Sequence, residues 1–270
     1  MKLLFNSHGG LGDELCCTPT YRVLSKDGHI VYVNPLYNDL YKNSPYVRIW
    51  NGESVDKTID MKWFSEVGYG YDMHLIDFYA HQAGIEVTDR SLDIFPTEDN
   101  LKFAKELIAG LPRPIVMYNT FHGWVARGAL SISNLRAIEK MKVTLVRIGD
   151  RPPWEGIGYN LVGYTGDILG TAALLSLVDV YVGNDSGLAH VAGAVGCKSV
   201  VLYASTDPEL RKHPLQVPVY NIDCYGCYNG KNGPPNPAIV QNKCRDNSFR
   251  CITRDMSGEV TSAIEELVCI

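Results

Sequence analysis

The sequence has no apolar run near the roughly 18–20 residues needed to cross a bilayer. Its opening, MKLLFNSHGG, carries too short an apolar stretch for a secretory leader and reads instead as a first strand. These two absences set the expectation of a cytoplasmic protein with at most peripheral membrane contact. Positive charge is also scarce: 25 Lys and Arg stand against 30 Asp and Glu, a net charge of −5. Nucleic-acid-binding surfaces are usually basic, so no nucleic-acid partner is expected. Internal repeats and low-complexity tracts are missing too, which argues against a solenoid or a disordered chain.

What remains is an ordinary globular composition, 46% apolar and 20% charged. A chain of 270 residues can bury a substantial core as one large domain or two small ones. The eight cysteines do not suggest a disulfide framework in a cytosolic chain. Cys16, Cys17, Cys197 and Cys269 sit in apolar contexts and read as small buried residues. Cys224, Cys227, Cys244 and Cys251 form a C-x2-C-x16-C-x6-C pattern that suits a four-thiolate zinc or iron site. The second pair lacks the C-x2-C spacing of a zinc ribbon, and unbound thiols or disulfides are the alternatives. Residues 229–241, rich in Gly, Pro and Asn, cannot build a core and would gain from such a staple. Four protein thiolates leave no open position, so the expected metal is structural rather than catalytic.

Strand and helix patterns alternate along the chain. A strand over 2–6 leads through a glycine loop into a helix reaching about residue 25, then a strand over 29–33 and a short helix over 36–41. Strand–helix–strand order implies a parallel sheet. The pattern weakens between 43 and 93, with a strand over 47–50, mostly loop over 51–71 and a helix over 73–83. Thr97 caps a helix over 97–109 that stops at Gly110. The Pro-rich stretch Leu111-Pro112-Arg113-Pro114 reads as a linker, after which the alternation restarts. Expected next are a strand over 115–119, a helix over 131–140, a strand over 143–148 and a helix over 168–177. The domains expected are therefore 1–112, 113–254 and a closing amphipathic helix within 255–270.

The most informative stretch is 178–208. An apolar strand ends in Gly183-Asn184-Asp185-Ser186-Gly187, a small-residue helix follows over 188–195, and a second strand over 199–203 ends in Ser205-Thr206-Asp207-Pro208. Open α/β sheets bind ligands at the carboxyl ends of their strands. The N–H groups that open the helix, with Ser186, Gly187 and Leu188, make a ready phosphate site. The loop Gly9-Gly10-Leu11-Gly12 resembles a shortened dinucleotide fingerprint, but the sixth-position glycine is missing.

NDSGLAH followed by a strand and STDP resembles the donor-site signature of glycosyltransferase family 9, the heptosyltransferases. Gly12-Asp13, followed by Pro19, is similar to that family's N-terminal G-D-x-x-x-x-x-P motif. The resemblance implies the GT-B fold: α/β, two Rossmann-like domains with parallel sheets facing a central cleft. It implies an inverting transfer of a sugar, heptose from ADP-heptose, to a hydroxyl of lipopolysaccharide core, another glycan or a protein. Asp13 takes the place of the general base, a role that suits a carboxylate facing an acceptor hydroxyl; otherwise it is simply part of a helix cap. His190 falls beside the donor diphosphate in this reading, or is a packed, hydrogen-bonded helix residue. Asp185 is placed on the sugar hydroxyls.

The same resemblance puts Asn119 and Thr120 on phosphate or sugar, Arg127 on the diphosphate and Asp150 on the ribose. It also sets Gly163-Tyr164-Thr165-Gly166 near the base. No Asp-x-Asp motif occurs, so no catalytic divalent metal is expected. The N-terminal half is short for the family, which leaves the acceptor open. The rival readings are a nucleotide-sugar-binding protein without transfer activity and a metal-stapled interaction module.

Overall fold

The computed structural model describes residues 1–68, 70–120, 130–149, 157–231, 234–241 and 243–268. The first part of the chain runs β1 (Lys2–Asn6), α1 (Leu11–Lys26), β2 (Ile30–Asn34), α2 (Asn38–Tyr41), β3 (Val47–Ile49), β4 (Lys57–Asp60), α3 (Phe64–Val67), α4 (Leu75–Ala83) and α5 (Glu98–Leu107). Its four strands form a parallel sheet of order β3-β2-β1-β4. The chain continues through β5 (Ile115–Tyr118), α6 (Ile132–Glu139), β6 (Thr144–Arg147), β7 (Tyr159–Asn160), α7 (Ile168–Leu175), β8 (Val180–Asn184), α8 (Gly187–Ala194), β9 (Ser199–Tyr203), β10 (Gln216–Tyr220), α9 (Arg250–Thr253) and α10 (Ser257–Val268). These strands form a second sheet, order β10-β9-β8-β5-β6-β7, again all parallel. Two parallel α/β layers are the expected architecture.

Both sheets reverse strand order beside a central strand, β1 in the first and β8 in the second. A crevice opens at such a switch point, so the loops after β1 and β8 are where a ligand belongs. The central strands of the second sheet are buried on both faces: β5, β8 and β9 have no exposed residue. This is why they read as continuous apolar runs rather than alternating ones. One apolar cluster spans the two sheets through α1, α4, α7 and α8, and a second lies under α6 and α10 on the far face. α5, although it precedes the linker, packs against α7.

α1 tolerates Pro19 inside it because the carbonyl that Pro19 cannot bond, that of Leu15, accepts the Thr18 hydroxyl at 2.7 Å. The segment 51–71 is mostly loop, as read, but it also contains β4 and α3, which the reading did not assign. β4 is largely exposed, so it lacks the apolar pattern that marks a strand. Cys16, Cys17 and Cys197 are buried as expected, whereas Cys269 lies outside the described residues. Among the described residues no helix is long and apolar enough to cross a membrane.

Candidate active site

The loop after β1 has to turn sharply into α1, and it does so through Gly9, whose φ of +124° favours glycine. A Cβ there would lie 2.7 Å from Asp13 Oδ2 and from the Trp63 indole nitrogen. Gly10 caps the helix and Asp13 stands at its third position. Asp13 Oδ2 accepts the Gly10 N–H at 2.8 Å, and Oδ1 accepts the Tyr79 hydroxyl at 2.8 Å. The carboxylate is therefore clamped from the β1–α1 loop and from α4, and each oxygen keeps a further lone pair that no described residue occupies. Asp13 does serve the helix cap, so the two readings of it coexist in one side chain.

The start of α8 lies against this turn. Gly187 approaches Leu11 so closely that a Cβ would meet the leucine Cβ at 3.0 Å. A Cβ on Gly12 would lie 2.6 Å from the His190 ring. The two helices thus meet at their N-termini, where the backbone dipoles present positive ends. Ser186, the cap of α8, makes no side-chain cap bond. The opening N–H groups of α8 keep their capacity for a bound anion.

His190 is buried and makes several contacts. Its Nδ1 lies 2.8 Å from His213 Nε2 and 3.6 Å from Cys16 Sγ, and its Nε2 lies 3.9 Å from Asp185 Oδ1. Burial, reinforced by the neighbouring His74, pushes the His213 pKa down to about 4, so His213 is neutral at pH 7. Burial likewise keeps the Cys16 thiol protonated. Asp185 Oδ2 accepts the Thr206 hydroxyl at 2.6 Å, which ties the turn after β9 to the end of β8.

Asp13, Asp185, Ser186, Gly187, Leu188 and His190 all line one cavity of about 1060 Å³ between the two sheets, as do Gly163, Thr165 and Gly166. This volume suits a nucleotide-sized ligand. Asn119 and Thr120 do not line it. Asn119 is buried and accepts the Tyr181 hydroxyl at 2.8 Å, while Thr120 accepts Arg147 Nη2 at 3.3 Å. Arg127 and Asp150 lie outside the described residues. Sequence reasoning passed over Tyr79, Trp63, Phe64 and Arg211. Tyr79 reaches Asp13, and the other three form part of the cavity wall. Arg211, three residues past the STDP turn, was the most legible of these, because a cation just beyond a ligand-binding strand end is a usable signal.

The four late cysteines are all unpaired thiols. Burial and the neighbouring Cys224 and Cys227 raise the Cys251 pKa to about 12, and Cys244 adds to the rise. The four are electrostatic neighbours, and a set of thiolates has the right chemistry for zinc or iron. Yet among the described residues no three Cys, His, Asp or Glu groups are arranged to hold a metal ion. The expected ligand set is therefore not assembled as a metal site among the described residues, and no chemical step is routed through it.

The decisive comparison is with protein families. Residues 151–227, which contain the cavity-lining 185–190 turn, match the model of glycosyltransferase family 9 (heptosyltransferase). The resemblance is to glycosyltransferase family 9. No curated protein matches the chain in sequence. Among solved structures, the iron-containing dodecameric glycosyltransferase TibC from enterotoxigenic E. coli H10407 superposes with a TM-score of 0.72 at 16% identity, covering 98% of this chain and 75% of TibC. A family 9 glycosyltransferase from Veillonella parvula DSM 2008 gives a TM-score of 0.70 at 15% identity, covering 99% of this chain and 97% of that one. TibC in complex with ADP-D-beta-D-heptose gives 0.70 at 17% identity, covering 98% of this chain and 75% of TibC. These likenesses establish the GT-B fold, and the family-model match over 151–227 bears out the resemblance to glycosyltransferase family 9.

Proposed function

We propose that the chain is an inverting glycosyltransferase that moves heptose from ADP-heptose to a hydroxyl of lipopolysaccharide core, another glycan or a protein. The observation that carries this reading is the shared cavity. Asp13 from the first sheet and the open N-terminus of α8 from the second line the same space. In the reaction the acceptor oxygen bonds to the anomeric carbon as the bond from that carbon to the diphosphate oxygen breaks. The acceptor proton passes to Asp13, and the electron pair leaves with ADP. Attack from the face opposite the leaving group inverts the anomeric centre. Asp185, held by Thr206, is within the same wall and is assigned to sugar hydroxyls. His190, with Nδ1 against His213 and its ring against Gly12, is assigned to positioning α8 against α1. Arg127 and Asp150 remain assigned to diphosphate and ribose on the family pattern; Asn119 and Thr120, expected on phosphate or sugar, do not line the cavity and are reassigned to support behind its wall. A cytoplasmic location belongs to the same reading.

Calorimetric titration with ADP, UDP, GDP and CMP tests the donor. ADP binding in the micromolar range, weakened in Ser186→Ala, is the expected result. Preference for UDP or GDP would replace the donor while keeping the fold. No nucleotide binding by wild type would favour the interaction module instead.

We further assign Cys224, Cys227, Cys244 and Cys251 to a structural zinc or iron site, supported by the thiol set and by the description of TibC as iron-containing. Elemental analysis of purified protein should find about one metal per chain, lost in Cys224→Ser/Cys227→Ser. Metal-free wild type that unfolds at the same temperature as the metal-treated protein would remove the assignment.

A further inference from the structure

Arg211 follows the short 3-10 turn Pro208–Leu210 and is 5% exposed. A guanidinium stays protonated at any ordinary pH, and a buried charge is normally paired with an opposite one. Arg211 makes no ion pair among the described residues. Its Nη1 donates to the Leu210 carbonyl at 2.7 Å, and its Cζ stands 5.0 Å from the centre of the Phe64 ring. Phe64, from the first sheet's side, is itself stacked on Phe78 at 3.9 Å. The head group is thus fixed on one side, while the rest of its donor fork has no partner among the described residues and forms part of the cavity wall.

The cavity around it is acidic. Asp13, Asp39, Asp167 and Asp185 line it, and Arg211 is the one arginine or lysine that does so among the described residues. A cavity with that lining repels a diphosphate unless fixed positive groups receive it. The opening of α8 supplies one such group, suited to a single phosphate. Arg211 supplies another, on the side that leans against the first sheet's Phe64. A planar fork with free N–H groups is suited to two oxygens of a phosphate.

We propose that Arg211 binds the β-phosphate of the nucleoside diphosphate, the phosphate that takes the electron pair when the sugar leaves. This rests on the glycosyltransferase reading above. The turn after β9 is tied through Thr206 to Asp185, which directly precedes Ser186. Arg211 and the α8 opening therefore belong to one rigid wall, with the first phosphate at the helix and the second at the arginine. Charge that develops on the leaving group meets a preoriented cation rather than water.

The test is calorimetric titration of wild type, Arg211→Met and Arg211→Lys with ADP and with AMP. ADP should bind Arg211→Met about ten- to hundredfold more weakly, the range for loss of a charged hydrogen-bonding partner, while AMP binds both proteins alike. Arg211→Lys keeps the charge without the planar fork and should recover part of the ADP affinity. If Arg211→Met does not fold, the ADP-to-AMP affinity ratio of Arg211→Lys decides, and it should fall below the wild-type ratio. ADP affinity unchanged in the folded variants, or an equal loss for ADP and AMP, overturns the assignment of Arg211. Wild type that binds neither ADP nor UDP overturns the glycosyltransferase reading itself, independently of Arg211.

Discussion

In Asp13→Asn protein, sugar transfer should fall by about 10²- to 10⁴-fold, the range for loss of a positioned general base, while ADP binds as in wild type. The substitution is chosen for its shape. The amide oxygen can still accept the Gly10 N–H, and the amide nitrogen can donate to the Tyr79 oxygen, so both present partners of Asp13 are retained. Only the capacity to take a proton is lost. The measurement is donor consumption against time at saturating ADP-heptose, with the melting temperature recorded alongside. An Asn variant that turns over at the wild-type rate would show that Asp13 is a cap residue and nothing more. Wild-type protein that binds ADP but consumes no donor with any acceptor would instead support the nucleotide-sugar-binding reading.

Replacing Glu14 by Gln should stabilise the protein above pH 7 by about 3 kcal/mol relative to its effect near pH 4.5. Glu14 is buried, with Oε1 accepting the Leu36 N–H at 2.6 Å. Burial raises its pKa from 4.5 to about 7, against the opposing backbone hydrogen bonds from Leu36 and Tyr37. At about 1.4 kcal/mol per pH unit, that rise accounts for the predicted difference. The sign follows from proton binding. Between pH 4.5 and about 7 the folded state holds a proton that the unfolded state has released, so Glu14's contribution is full below pH 4.5 and is lost as pH rises through about 7.

His213 works in the opposite direction. Its pKa is lowered from 6.5 to about 4, so its contribution is full above pH 6.5 and is lost as pH falls through about 4. The two trends oppose each other between pH 4.5 and 6.5, and wild type alone would conceal both. Urea unfolding of wild type and Glu14→Gln, followed by tryptophan fluorescence at several pH values from 4.5 to 8, separates them. Parallel stability profiles for the two proteins would show that Glu14 does not change its protonation on folding in this range.

Much of the site could be read from the chain because local chemistry dictates it. A strand that ends in Gly183-Asn184-Asp185-Ser186-Gly187 before a small-residue helix can do little else than turn there, and α8 begins at Gly187. β1 and β9 fall on 2–6 and 199–203 as read, since short buried strands bounded by turn residues leave little freedom in their ends. Thr97 caps α5 through its hydroxyl, as its sequence neighbours require. By contrast, β4 pairs in register with β1 although it is exposed, and that pairing is a property of the sheet rather than of the KTID segment. β7 and β10 escaped notice for similar reasons. The first is two residues long, and the second contains Pro218 and lies at the sheet edge, where a missing N–H is tolerated.

The sequence by itself determined the alternation of strands and helices, the two parallel layers and the glycine turns after β1 and β8, because these depend on hydrophobic pattern and backbone freedom within a few residues. Only the tertiary structure decided which of those turns meet. Gly12 lies against His190, Tyr79 reaches Asp13 across 66 residues, and Arg211 leans on Phe64 with no carboxylate partner among the described residues. It also decided that Asn119 turns into the interior toward Tyr181 rather than into the cavity. Contacts of this kind depend on how the helices of two sheets pack together, and no local rule of propensity or spacing encodes a partner that far along the chain.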